Sequence, residues 1–117
     1  MTTDIRTDDI SPQASLADQL AWLERHGINL SRIPGHMRAG TALYLLFGIP
    51  PGSFASAVFA NDLLDAYGRA DSANTAAMRE WANFVYNEMP HESHGSRKAV
   101  SAWIERGGLL NYQGPGA

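Results

Sequence analysis

Apolar residues recur along this chain at three- and four-residue intervals, and the runs are broken by Gly, Pro, Ser and Asp. That period stacks side chains on one face of an α-helix. Leu16, Leu20 and Leu23 make the first stripe, with Ser15 placed to cap it and Gly27 to stop it. Pro34 suits the first turn of a second helix, because its missing N–H has no partner there in any case. This helix runs through Met37, Leu43, Tyr44 and Phe47 to Gly48. After the stiff turn Ile49-Pro50-Pro51-Gly52, Ser53 is placed to cap a third helix, with Phe54, Ala57, Val58, Leu63 and Leu64 inward and Gly68 at its end. Asp71 or Ser72 caps a fourth, whose stripe is Met78, Trp81, Ala82, Val85 and Met89 before Pro90. Ser96 opens a fifth carrying Val100, Trp103 and Ile104, closed by Gly107-Gly108.

No segment of comparable length alternates with period two, so the pattern predicts an all-α fold without a sheet, a compact bundle of about five short helices. Helices this short are marginal alone and draw their stability from packing on one another. The bundle is expected over residues 15–108. A polar, acidic arm precedes it at 1–14, interrupted by Pro12, and an irregular glycine-rich tail follows at 109–117.

The 117 residues are the size of one domain. There is no cysteine, which excludes disulfides and thiolate metal sites and fits a reducing, cytoplasmic setting. Nine basic against twelve acidic residues give a formal charge of −3. That balance argues against a general nucleic-acid binder, whose affinity comes from neutralising phosphates. A helix, a Gly-containing turn and a second helix over residues 53–89 share the outline of a helix-turn-helix, but the second helix offers only Arg79 as a base against Glu80 and Glu88. No apolar run approaches the length of a membrane span, and the first residues lack the charged start and apolar core of a secretory signal.

Chemistry-bearing residues gather at helix starts. His94-Gly95-Ser96-Arg97-Lys98 places cations where the helix dipole already carries positive charge, a conflict that an anion resolves through free N–H groups, Ser96 and Arg97, or that water resolves if the side chains point outward. Pro34-Gly35-His36 with Arg38, and Pro51-Gly52-Ser53, have a similar character. Asn61, amid Ala57, Val58 and Leu64, reads as facing the interior or an interface, where its amide either ties the third helix to a loop or lines a pocket. Arg69 is placed to pair with Asp65 or Asp71, or with a ligand phosphate, and Tyr86 to stack on a base. His91-Glu92-Ser93-His94 lacks the one-turn spacing of a His-Glu-x-x-His zinc motif, so no metal and no cofactor is expected. No nucleophile elbow, P-loop or dinucleotide fingerprint is present, and the balance leans away from an enzyme.

Ile33-Pro34-x-His36-Met37-Arg38-x-Gly40, Gly48-Ile49-Pro50-Pro51-Gly52-Ser53-Phe54, Asn61-Asp62-Leu63, Gly68-Arg69-Ala70-Asp71, Tyr86-Asn87 followed by Pro90, and His94-Gly95-Ser96 together resemble a group of small phage and prophage proteins, over about residues 33–108. Those proteins often carry Cys-Trp or Cys-His before the Gly-Ser pair; here Ser93-His94 stands there. The resemblance implies a phage genome and, by analogy of context, a role in evading bacterial immunity. On that footing the expected function is a homo-oligomeric binding protein that sequesters a nucleotide immune signal, a cyclic oligonucleotide or an ADP-ribose derivative, through His36, Arg38, Asn61, Arg69, Tyr86, His94, Ser96 and Arg97. The alternatives are a protein inhibitor of a host defence complex that docks through its acidic arm, and a small DNA-binding regulator.

Overall fold

Side-chain caps set where four of the helices begin. In the computed structural model, which describes residues 10–114, the Ser15 hydroxyl accepts from the Asp18 N–H at 3.1 Å and opens α1 (Leu16–Arg25). A 3-10 turn, Gly35–Met37, leads from Pro34 into α2 (Arg38–Phe47), which ends at a left-handed Gly48. Then come α3 (Ser53–Phe59), α4 (Leu63–Arg69), α5 (Ser72–Ala76), α6 (Met78–Glu88), the 3-10 turn His91–Ser93, α7 (Arg97–Arg106) and the 3-10 turn Gly108–Leu110. Asp62, Asp71 and Ser96 cap α4, α5 and α7 through their side chains. Gly52, not Ser53, is the residue before α3, and it caps without a side chain. The described residues contain no strand, so the all-α expectation holds.

There are seven α-helices among the described residues because two expected helices break. At Asn61 the backbone enters the left-handed region, φ 63°, and Asp62 starts a new helix in a new direction. At Ala77 a local turn separates α5 from α6, with the Ala77 N–H shared between the Ala73 and Asn74 carbonyls at 3.1 Å each. Gly68 does not stop a helix; it lies inside α4, which ends at the extended Ala70.

The centre is aromatic. Trp81, Trp103, Tyr44, Phe59 and Phe84 are all fully buried, Tyr44 stacks on Phe59 with centroids 4.9 Å apart, and Phe54 and Phe84 meet Trp81 edge-on. α2 is the middle of the fold, packed against α1 and against the Gly108–Leu110 turn, while α3 packs on α4 and α7. Both indoles are satisfied: Trp81 donates to Asn74 Oδ1 at 2.9 Å and Trp103 to the Tyr44 carbonyl at 2.8 Å. Asn74, where the would-be recognition helix of a DNA binder begins, is thereby buried and committed to Trp81.

Packing extends beyond residues 15–108 on both sides. Ile10 packs against the core and the Gln19 side chain donates to the carbonyls of Pro12 and Ala14, so residues 10–14 are part of the fold. Residues 1–9 of the expected arm lie outside the described residues, as do 115–117 of the expected tail. Leu109, Leu110 and Tyr112 also pack on the core, Tyr112 edge-on to Phe47. In α1 the buried face is Gln19, Trp22 and Leu23, rotated from the expected Leu16 stripe. No helix among the described residues is long and apolar enough to cross a membrane.

Candidate functional site

The break at Asn61 has a direct structural consequence. It turns α4 away from the line of α3, so Leu63 and Leu64, expected inside, stand 63% and 84% exposed, and only Ala66 of α4 is buried. Between α4 and α6 a groove of about 680 Å³ opens, within the range of small-molecule sites. Its floor is Phe59 and Trp81. Leu63 and Tyr67 of α4 form one wall, Met78, Arg79, Ala82, Val85 and Tyr86 of α6 the other, and Asn61, Asp62, His94 and Gly95 close one end. The Met78–Ala82–Val85 side of the fourth stripe is therefore a groove wall, while Trp81 and Phe84 face the core.

The His94 end is held from two directions. The Tyr44 hydroxyl donates to the Ser93 carbonyl at 2.7 Å, and the Gly95 N–H donates to the Phe59 carbonyl at 2.7 Å. Partial burial holds the His94 imidazole below its ordinary pKa, with a smaller push from His91. Neutral His94 therefore presents one donor and one acceptor at the groove.

Arg97 does not reach for a ligand. Its Nη2 lies 2.9 Å from Asp62 Oδ2 and 3.0 Å from Asp65 Oδ2, tying the start of α7 to the start of α4. These bonds raise the Arg97 pKa further, and the Arg97 hydrogen bond, followed by the Asp65 N–H, draws the Asp62 carboxyl below its usual range. Arg69 takes the other oxygen of Asp65 at 2.9 Å, the carboxylate pairing that its spacing allowed. The Ser96 hydroxyl accepts from the Ala99 N–H and is a helix cap. His36 pairs with Asp71 at 3.0 Å, and Arg38 donates to the carbonyls of Ile33 and Ser31. Asp71 is drawn down first by the Asn74 N–H and then by His36.

Of the eight expected ligand residues, the fold thus gathers Asn61, Tyr86 and His94 on the groove. His36, Arg38, Arg69, Ser96 and Arg97 do not line it and are engaged by the protein itself. The helix starts do not converge on one anion site. Asn61 is exposed in a turn, where its conformation, more than a buried amide bond, accounts for it. Tyr67 and Arg79 were not singled out as ligand residues, although Arg79 stood out as the one base of its helix. Arg79 has no ion-pair or hydrogen-bond partner among the described residues and is the one arginine or lysine lining the groove.

Chemically, the groove presents two phenols, an amide, an imidazole and one guanidinium on an apolar bed, with the Asp62 carboxylate already satisfied by Arg97. No histidine of the groove is hydrogen-bonded to a carboxylate or hydroxyl among the described residues, and no three His, Asp or Glu side chains there assemble a metal cage. No protein-family model, curated protein or solved structure matches the chain.

Proposed function

We propose that this chain is a binding protein that sequesters a nucleotide-type ligand in the α4–α6 groove without chemical change, serving a phage against a bacterial immune signal. The observation that carries the reading is Arg79: a guanidinium with no partner among the described residues, in a largely apolar groove that it shares with Tyr67, Tyr86, Asn61 and His94. An aromatic base suits the tyrosine faces, an amide and a neutral imidazole suit its polar edge, and Arg79 suits one phosphate. The volume of about 680 Å³ fits a ligand of this class. The phage setting comes from the sequence resemblance alone. Arg69 and Arg97 are paired with carboxylates and Arg38 with backbone carbonyls, so the groove asks for few negative charges and a large flat apolar surface.

Native mass spectrometry of the purified protein with a panel of cyclic di- and trinucleotides and ADP-ribose derivatives tests the proposal. Uptake in stoichiometric steps that Arg79→Gln weakens at least tenfold supports it. A panel that leaves the spectrum unchanged sinks it.

A further inference from the structure

We infer that the groove face is closed by a second copy of this chain, paired about a two-fold axis, with Tyr86 and Leu64 of each protomer entering the groove of the other. The pairing itself stands apart from the proposed ligand; only the identity of what fills the remaining space rests on that reading.

Five large apolar side chains are exposed among the described residues; three of them, Leu63, Tyr67 and Tyr86, line one groove between α4 and α6, and a fourth, Leu64, follows Leu63 on α4. Scattered exposed hydrophobics need no explanation, but a contiguous set marks an interface. This face carries both the knob and the hole. Tyr86 is 89% and Leu64 84% exposed, on the helices that wall a groove of about 680 Å³. An isologous pair uses both, because each copy then presents its projections to the other's cleft.

Size and charge agree. A standard interface takes about 800 Å² from each partner. Covering the exposed parts of Tyr67 and Tyr86 supplies on the order of 200–350 Å² of this, and Leu63, Leu64, Val58, Met78 and Val85 extend the same patch. The core of an interface disfavours unpaired charge. Here Asp62 and Asp65 are already neutralised by Arg97 and Arg69. Of the charged groups lining the groove only Arg79, itself exposed, is left unpaired in each copy.

Sedimentation velocity of the ligand-free full chain, from low to high micromolar concentration, reads this directly. A dimer is expected for the wild type and for Leu16→Glu, the control on the exposed leucine of α1, and a monomer for Tyr86→Glu and Leu64→Glu with unchanged circular dichroism. A monomeric wild type, or a dimer indifferent to both groove-face changes, overturns the inference. Should those variants fail to fold, Tyr86→Cys gives a second reading, because the chain has no cysteine of its own. Glutathione-buffered oxidation is expected to capture Leu64→Cys/Tyr86→Cys chains as covalent dimers; no cross-link above that of Leu16→Cys overturns the pairing. Ligand uptake by a monomer defeats this inference and leaves the proposed function standing, whereas a dimer that takes up no nucleotide does the reverse.

Discussion

The hydroxyl of Tyr44 donates to the carbonyl of Ser93 at 2.7 Å, across 49 positions of sequence, with both residues fully buried. Burial pushes the Tyr44 phenol well above its ordinary pKa, so it remains a donor at any physiological pH. The carbonyl of the same Tyr44 accepts from Trp103. One residue of the central helix α2 therefore anchors both α7 and the turn that presents His94 to the groove.

Tyr44→Phe removes the phenolic donor and leaves the Ser93 carbonyl without it in a dry environment. The expected loss is about 1–3 kcal/mol, read as a lower urea midpoint with an unchanged m-value. The His94 imidazole is expected to titrate closer to a free histidine, seen by NMR, because the turn that half-buries it loosens. A variant as stable as the wild type, with His94 unaltered, refutes this role for the bond.

Asn61 holds φ 63°, a conformation that Gly adopts freely and β-branched residues resist. Asn61→Gly should be close to neutral in stability. Asn61→Val should cost about 1–2 kcal/mol and straighten the α3–α4 junction, reducing ligand uptake as the groove changes shape. Equal stability of the two variants would show that the turn is not set by this residue.

The same residue explains much of what was and was not legible in the sequence. Ser15, Asp71 and Ser96 cap where their side-chain chemistry and position suggested, because capping is local. The apolar period through Ala57, Val58, Leu63 and Leu64 looked continuous because periodicity does not register one left-handed residue. The sequence alone offered only the Asn61-Asp62 pair, a known turn and cap chemistry, as a signal against it. Arg97 looked like an anion receptor because its partners Asp62 and Asp65 lie more than thirty positions away and meet it only once α4 and α7 are packed. The groove itself depends on two helices diverging, a tertiary fact. Its α6 wall was visible as a stripe, but which half of the stripe faced the core was not.

Arg97→Ala tests that long-range brace. The groups are exposed, so little global stability should be lost. The effect should be local: amides of α4 are expected to exchange faster with deuterium, while those of α2 and α6 keep their protection. High salt should move the wild type in the same direction. Unaltered exchange in α4 would mean that its packing on α3 holds it without the ion pairs.

The pH dependence of stability should fall in two stages. His94 has a lowered pKa in the folded protein, so below the unfolded histidine value of about 6.5 the unfolded chain takes up a proton that the native state resists. Stability therefore decreases as pH drops through that value toward the folded one, and this contribution then levels off. Asp62 and Asp71 are also lowered, and their contribution is intact above the unfolded aspartate pKa of about 3.9, disappearing only as pH falls from there through their folded values. Urea titrations at a series of pH values should show a first decline below about pH 6.5 and a second, steeper one below about pH 4. His94→Asn keeps a hydrogen-bonding side chain but cannot titrate, so it should flatten the first stage and leave the second. If the first decline persists in that variant, its source is another histidine, and the desolvated end of the groove does not control it.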